Sequence, residues 1–123
     1  MPALSRWFVR SALAHQLIGF CVGTLLLCVK AGVADPALWI WLPAHVDALL
    51  AGWMIQLAMG VGYWILPRLG AAGRGRMRLA GAAFVLLNAG SLLFAGAGLL
   101  RYVWPGEQAL YMLMPAGVVL QAL

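Results

Sequence analysis

The sequence predicts an all-α membrane protein, an antiparallel bundle of four transmembrane helices in which residues 1–123 form a single domain. Three observations carry that expectation. Hydrophobic residues make up 65% of the chain and charged residues only 9%, whereas roughly 25% of the residues in soluble domains are charged. The apolar residues gather into stretches at approximately 8–31, 38–66, 79–100 and 108–122, each near the ~20 residues that a spanning helix requires. The few Lys and Arg residues fall mainly on alternate connections, the bias that orients a protein in a membrane.

The first stretch follows Arg6 and Arg10. It reads as a retained helix, because it is longer than the h-region of a signal peptide and only Ala31-Gly32 imitates a cleavage site. Cys21 and Cys28 lie about 10 Å apart along this helix, too far to bond to each other, and read as small buried hydrophobes. Ala34-Asp35-Pro36 turns the chain into the second stretch, which closes at Leu66-Pro67-Arg68 and a glycine-rich connection. The third, LAGAAFVLLNAGSLLFAGAGLL, is crowded with Gly, Ala and Ser and reads as an interface helix. Asn88 and Ser91 are its candidates for hydrogen bonds between helices. Trp104-Pro105-Gly106 leads into the fourth and shortest stretch, which contains Pro115.

Short connections make successive helices antiparallel neighbours. Trp7, Trp39, Trp41, Trp64, Tyr102 and Trp104 stand near span ends, as an interfacial aromatic belt would place them. Arg68, Arg74, Arg76 and Arg78 fill the connection between the second and third stretches, while the other two turns carry only Lys30 with Asp35 and Arg101 with Glu107. The expected topology therefore has both termini and the Arg68–Arg78 loop cytoplasmic, in a bacterial-type inner (plasma) membrane. The net charge of +5 is a topology signal directed at anionic lipid headgroups, and no nucleic-acid partner is expected.

His45 and Asp47 are the ionisable residues set inside the second stretch, WLPAHVDALLAGWMIQLAMGVGYWILPR. A charge at membrane depth is costly, so such residues are functional candidates. At 100° per residue His45, Ala48, Gly52, Gln56, Met59 and Tyr63 share a face, and Asp47 projects about 200° from His45. Gly52, Gln56 and Gly60 form a shallow groove running inward below His45, able to take something flat or another backbone. His45 lies roughly 10 Å below the outer surface. It is either a metal or haem-iron ligand through a neutral imidazole or a hydrogen-bonding group between helices, the commoner role of a lone histidine. His15 sits near the opposite end of the first helix, more than about 10 Å away in depth, and cannot clamp the same iron.

The second stretch resembles the membrane-embedded subunit I family of haem-copper oxidases and nitric oxide reductases, through His45, Gly52-Trp53, Gln56-Leu57 and the closing Gly60–Arg68 segment GVGYWILPR. The likeness covers roughly one helix in four. It implies a single arc of the family's twelve-helix ring, with haem b as cofactor, His45 as its axial ligand, and Gly52 and Gln56 lining the cofactor groove. Three copies would rebuild the ring, so a homo-oligomer is expected, with a trimer favoured. Where relatives carry H-x-H this chain has His45-Val46-Asp47, and it offers no His-His pair for copper. Oxygen or nitric oxide reduction by this chain alone is not expected.

Two functions remain open. One is a b-type haem protein for electron transfer or gas-ligand binding. The other is a haem-free accessory subunit of a respiratory membrane complex. A transporter is a third and weaker reading, since Asp47 is expected too near the outer edge to serve at the midplane.

Overall fold

The computed structural model describes residues 1–65, 77–108 and 110–123, which contain helices and turns and no strand. Three helices are long and apolar enough to cross a membrane: α1 (Ala3–Lys30), α2 (Pro36–Ile65) and α3 (Met77–Val103). α4 (Leu110–Ala122) has 13 residues. The end of the second stretch at Leu66-Pro67-Arg68 and nearly all of the Arg68–Arg78 connection lie outside the described residues.

α1 begins five residues earlier than hydropathy suggests. Arg6 and Arg10 ride exposed on its first turns instead of preceding it. Both are good helix formers, and hydropathy marks the lipid-embedded part of a helix rather than its first turn. α1 ends at Lys30, and two residues on Gly32 has a φ of 72°, the left-handed conformation glycine adopts without a Cβ clash. The reversal is closed by Val33 N–H donating to the Cys28 carbonyl at 3.0 Å. Asp35 then caps the next helix, its Oδ1 accepting from Ala37 N–H at 2.9 Å, with Pro36 pre-set for the first helical position.

α2 changes pitch along its length. Pro36–Trp41 is a 3₁₀ turn, Leu42–Asp47 is α-helical, Ala48–Ile55 is π-helical and Gln56–Ile65 returns to α. Pro43 sits where the 3₁₀ turn gives way to α, and having no N–H it cannot continue the hydrogen-bond ladder. The π stretch lies between two contacts to other helices, His45 on α1 and Gln56 on α3. Such wide turns are rare and occur mostly as single insertions.

The buried residues are mostly small or polar: Ser5, Ala12, Gly19, Ala44, Ala48, Gly52, Gln56, Gly60, Gly90, Ser91, Ala97, Gly98 and Gly117, joined by Phe8, Leu26 and Leu87. Large side chains such as Leu17, Leu27, Val85 and Leu92 point outward. Helices in lipid gain little from burying leucine and associate where backbones approach closely. Phe8 and Phe84 close the end of the bundle near the N-terminus of α1, ring edge to face with centroids 5.1 Å apart.

α3 is an interface helix as expected, and its partner is α4 of the same chain. A Cβ at Gly90 would lie 2.6 Å from the Gly117 carbonyl oxygen, and one at Gly117 would lie 2.8 Å from the Gly90 oxygen. At ~1.5 Å per residue α4 is about 20 Å long, short of the ~30 Å hydrocarbon core. It flanks only part of α3, with Gln121 against Gly90. Within the given residues the architecture is three long helices with a shorter apolar fourth.

The aromatic belt also needs amendment. Trp7, Trp39, Trp64, Tyr102 and Trp104 are exposed, but Trp41 is turned inward, with its indole N–H buried. Cys21, read as buried, is exposed on the outer face of α1, while Cys28 is half-buried, and both are free thiols.

Candidate functional site

His45 is delivered by the α-helical turn of α2 before the π stretch. Its Nδ1 lies 2.8 Å from the Gly19 carbonyl oxygen of α1. A carbonyl oxygen only accepts, so Nδ1 carries the proton and Nε2 of the neutral ring keeps its lone pair. Nε2 has no hydrogen-bond partner among the described residues and is not sealed from the surface.

Two glycines one turn apart on α1 make room for this arrangement. A Cβ at Gly23 would lie 2.7 Å from His45 Cε1, and a Cβ at Gly19 would lie 2.6 Å from Leu49 Cδ2. A side chain at either position would displace the Leu49 or His45 side chain that now occupies the space. The seat was readable in the sequence as a small-x-x-x-small pair, Gly19 and Gly23, which marks close helix approach in membranes.

The ring borders a cleft of about 490 Å³ between α1 and the first turns of α2, within the roughly 300–1,000 Å³ of ligand pockets. Phe20, Leu27, Leu42 and Leu49 supply apolar walls, and Lys30 stands at the rim. Thr24 also lines it, but its hydroxyl donates back to the Phe20 carbonyl at 2.9 Å. The cleft is thus an apolar space with one fixed imidazole and one cation.

The groove expected below His45 is filled. A Cβ at Gly52 would lie 2.5 Å from His15 Cδ2, and one at Gly60 would lie 2.6 Å from Phe8 Cβ. Gln56 is completely buried, its Nε2 donating to Asn88 Oδ1 at 3.3 Å. Neither Gly52 nor Gln56 borders the His45 cleft. Of the two occupants the groove could take, it holds another helix, because α1 lays His15 and Phe8 into it.

Asn88 is the centre of this inner contact. It also accepts from the Ser11 hydroxyl and donates through Nδ2 to the Phe84 carbonyl at 2.7 Å. Three long helices therefore meet through Ser11, Gln56 and Asn88. The interhelical bonding expected of Asn88 and Ser91 is present, but at separate points, since Ser91 Oγ accepts from Gln121 Nε2 of α4 at 3.2 Å.

His15 donates through Nδ1 to the Ser11 carbonyl at 2.9 Å and packs at Gly52, seven residues along α2 from His45. The two histidines occupy different levels and share no site. Asp47 faces away from His45 toward α4, where its Oδ1 accepts from Gln121 Nε2 at 2.8 Å. No three His, Cys, Asp or Glu residues among those described are placed to hold a metal ion together. No family model, curated protein or solved structure matches this chain.

Proposed function

We propose that the protein is an integral membrane b-type haem protein in which His45 supplies an axial ligand, serving electron transfer or gas-ligand binding within a respiratory membrane. The observation that carries this reading is the orientation of one ring: Nδ1–H held by the Gly19 carbonyl, with Nε2 left free beside an apolar cleft. Ligating histidines commonly donate their other ring N–H to a carbonyl, which fixes the tautomer and raises the basicity of the ligating nitrogen.

The residues present fit the group. Gly23 leaves the space that the imidazole fills, Phe20, Leu27 and Leu49 would exclude water from the face of the ring, and Lys30 would meet carboxylates at the rim. Bound haem supplies a one-electron iron centre whose potential follows its axial ligands and the dryness of its surroundings. The chain's own work is to hold the His45 ring in place through the Gly19 carbonyl and to keep the cleft apolar. Resemblance of the second helix to haem-copper oxidase subunit I supports the same assignment, as does the position of His45 near the end of α2 that the arginine bias places outermost.

The cleft is open on one side, so a homo-oligomer, with a trimer favoured by analogy to the three arcs of subunit I, would give it a second wall. Native mass spectrometry in mild detergent tests that part of the proposal, and a monomer throughout would defeat it.

The competing reading is a haem-free accessory subunit. It is favoured by the bond that His45 already makes between helices, which is sufficient as a packing contact. An optical spectrum separates the two. Protein purified from haem-replete cells is expected to show a Soret band that His45→Ala removes or shifts and His15→Ala leaves in place. Colourless protein that also fails to take up added haemin would leave the packing role.

A further inference from the structure

Ala48–Ile55 of α2 is wound with π pitch between the α-helical turns Leu42–Asp47 and Gln56–Ile65. π pairing joins residues five apart instead of four, so the stretch holds one residue more than the α-helical turns it replaces. Such insertions are rare, and those that occur are frequent at functional sites. A form this uncommon persists where its surroundings hold it.

The surroundings hold this one at both ends. Ahead of it His45 is docked on α1, its Nδ1 donating to the Gly19 carbonyl at 2.8 Å, and directly behind it Gln56 is docked on α3 through Asn88 Oδ1 at 3.3 Å. The contacts inside the stretch, Leu49 over Gly19 and His15 over Gly52, are made by side chains, which can rotate without fixing the register of the main chain. α pitch needs one residue fewer to cover the same turns, so a return to it turns one half of α2 by about 100° and slides it about 1.5 Å against the other. His45 and Gln56 then cannot both keep their partners. Gln56 is the end that yields, because its bond is longer than the roughly 2.7–3.2 Å usual for N–H···O and its Oε1 is buried with no partner among the described residues.

We propose that Ala48–Ile55 is a register switch. It keeps π pitch while His45 is fixed on Gly19 and Gln56 on Asn88, and returns to α pitch when either is released, so that the state of His45 is transmitted to the buried Gln56–Asn88 contact further along α2. The switch works through the chain's own contacts and does not depend on what His45 binds. Anything that fixes the imidazole favours the π register and with it the inner contact; reciprocally, loss of Gln56 from Asn88 loosens the aim of His45.

The test is rotational-echo double resonance on the full chain in lipid bilayers, with ¹³C at the Ala48 carbonyl and ¹⁵N at either Trp53, its partner in π pitch, or Gly52, its partner in α pitch. Wild-type protein is expected to show Ala48 dephased by Trp53. In His45→Ala and in Gln56→Leu, each measured in protein whose circular dichroism stays helical, the Trp53 dephasing is expected to be lost and that from Gly52 to rise. Gln56→Leu removes the contact at nearly constant side-chain volume, so it decides the question even where His45→Ala does not fold. Retention of the Ala48–Trp53 pairing in either folded variant overturns the switch, because the π pitch is then fixed by the stretch itself. Wild-type protein with Ala48 paired to Gly52 overturns it as well, since α2 then carries no inserted residue.

Discussion

Two helix pairs in this molecule use glycine for opposite ends. Between α3 and α4, Gly90 and Gly117 face each other so that each main chain occupies the space that the other's Cβ would need. Between α1 and α2, the space above Gly23 is filled by the His45 imidazole and that above Gly52 by the His15 imidazole. The first pair is a backbone-to-backbone contact and carries no chemistry. The second admits polar rings into a helix interface and leaves an apolar cleft beside one of them. Glycine alone therefore does not distinguish a packing seam from a site. The distinction comes from what the neighbouring helix places over it.

The sharpest way to break this contrast is to fill the seam that contains no chemistry. Gly90→Val or Gly117→Val must move main chain, because the obstructing atom is a carbonyl oxygen at 2.6 or 2.8 Å and cannot rotate aside. Overpacking commonly costs about 1–3 kcal/mol, and a rigid backbone obstacle places these variants at or above the top of that range, about 3 kcal/mol or more. Unfolding by steric trapping in bilayer-like micelles should register the loss. Any haem spectrum of the fraction that remains folded should be unchanged, and a lost spectrum in that fraction would show that the two seams are coupled.

Gly23→Leu tests the other pair. The obstructing atom here is a side-chain carbon of His45 at 2.7 Å, so the ring can swing out and the cost should be lower, about 1–2 kcal/mol. Its functional effect should be larger than that of Gly90→Val, since the Gly19 hydrogen bond that aims His45 is lost. Haemin titration should show weakened or absent binding in protein whose circular dichroism stays helical. Undiminished affinity would remove the Gly23 seat from the proposed site.

His45→Ala comes next in effect on stability. A polar contact between membrane helices averages about 0.6 kcal/mol and reaches roughly 1.7, so the helical fold should survive while any Soret band is lost. A Soret band that neither shifts nor weakens would defeat the assignment of His45 as ligand.

The sequence was most legible where a single local rule decides the outcome. Ala34-Asp35-Pro36 marked the first turn, and the small residues of the third stretch identified an interface helix. The opposed directions of His45 and Asp47 followed from helical periodicity and are realised, toward α1 and α4 respectively. Legibility failed where two helices decide together. The Gly52–Gly60 groove looked like cofactor space until His15 and Phe8 of α1 were seen to fill it. Trp41 satisfied a positional rule for interfacial anchors but is turned inward, and periodicity assumed one pitch where α2 has three.

The smallest effect on the fold should come from Lys30→Met. Lys30 is exposed in the last turn of α1, so its removal should change stability by no more than about 0.5 kcal/mol. Part of even that would reflect lost interaction with the helix C-terminus, worth about 0.3–1 kcal/mol at an exposed site before salt screening. Its position at the rim of the His45 cleft gives it a separate, measurable consequence. If the cleft takes haem with carboxylates toward Lys30, haemin affinity should fall severalfold in Lys30→Met, and more strongly at low salt. Affinity for haem dimethyl ester, which carries no carboxylate charge, should be the same in both proteins. An equal loss for the two ligands would mean that Lys30 acts through the shape of the rim, and no loss for either would remove it from the proposed site while leaving His45 in place.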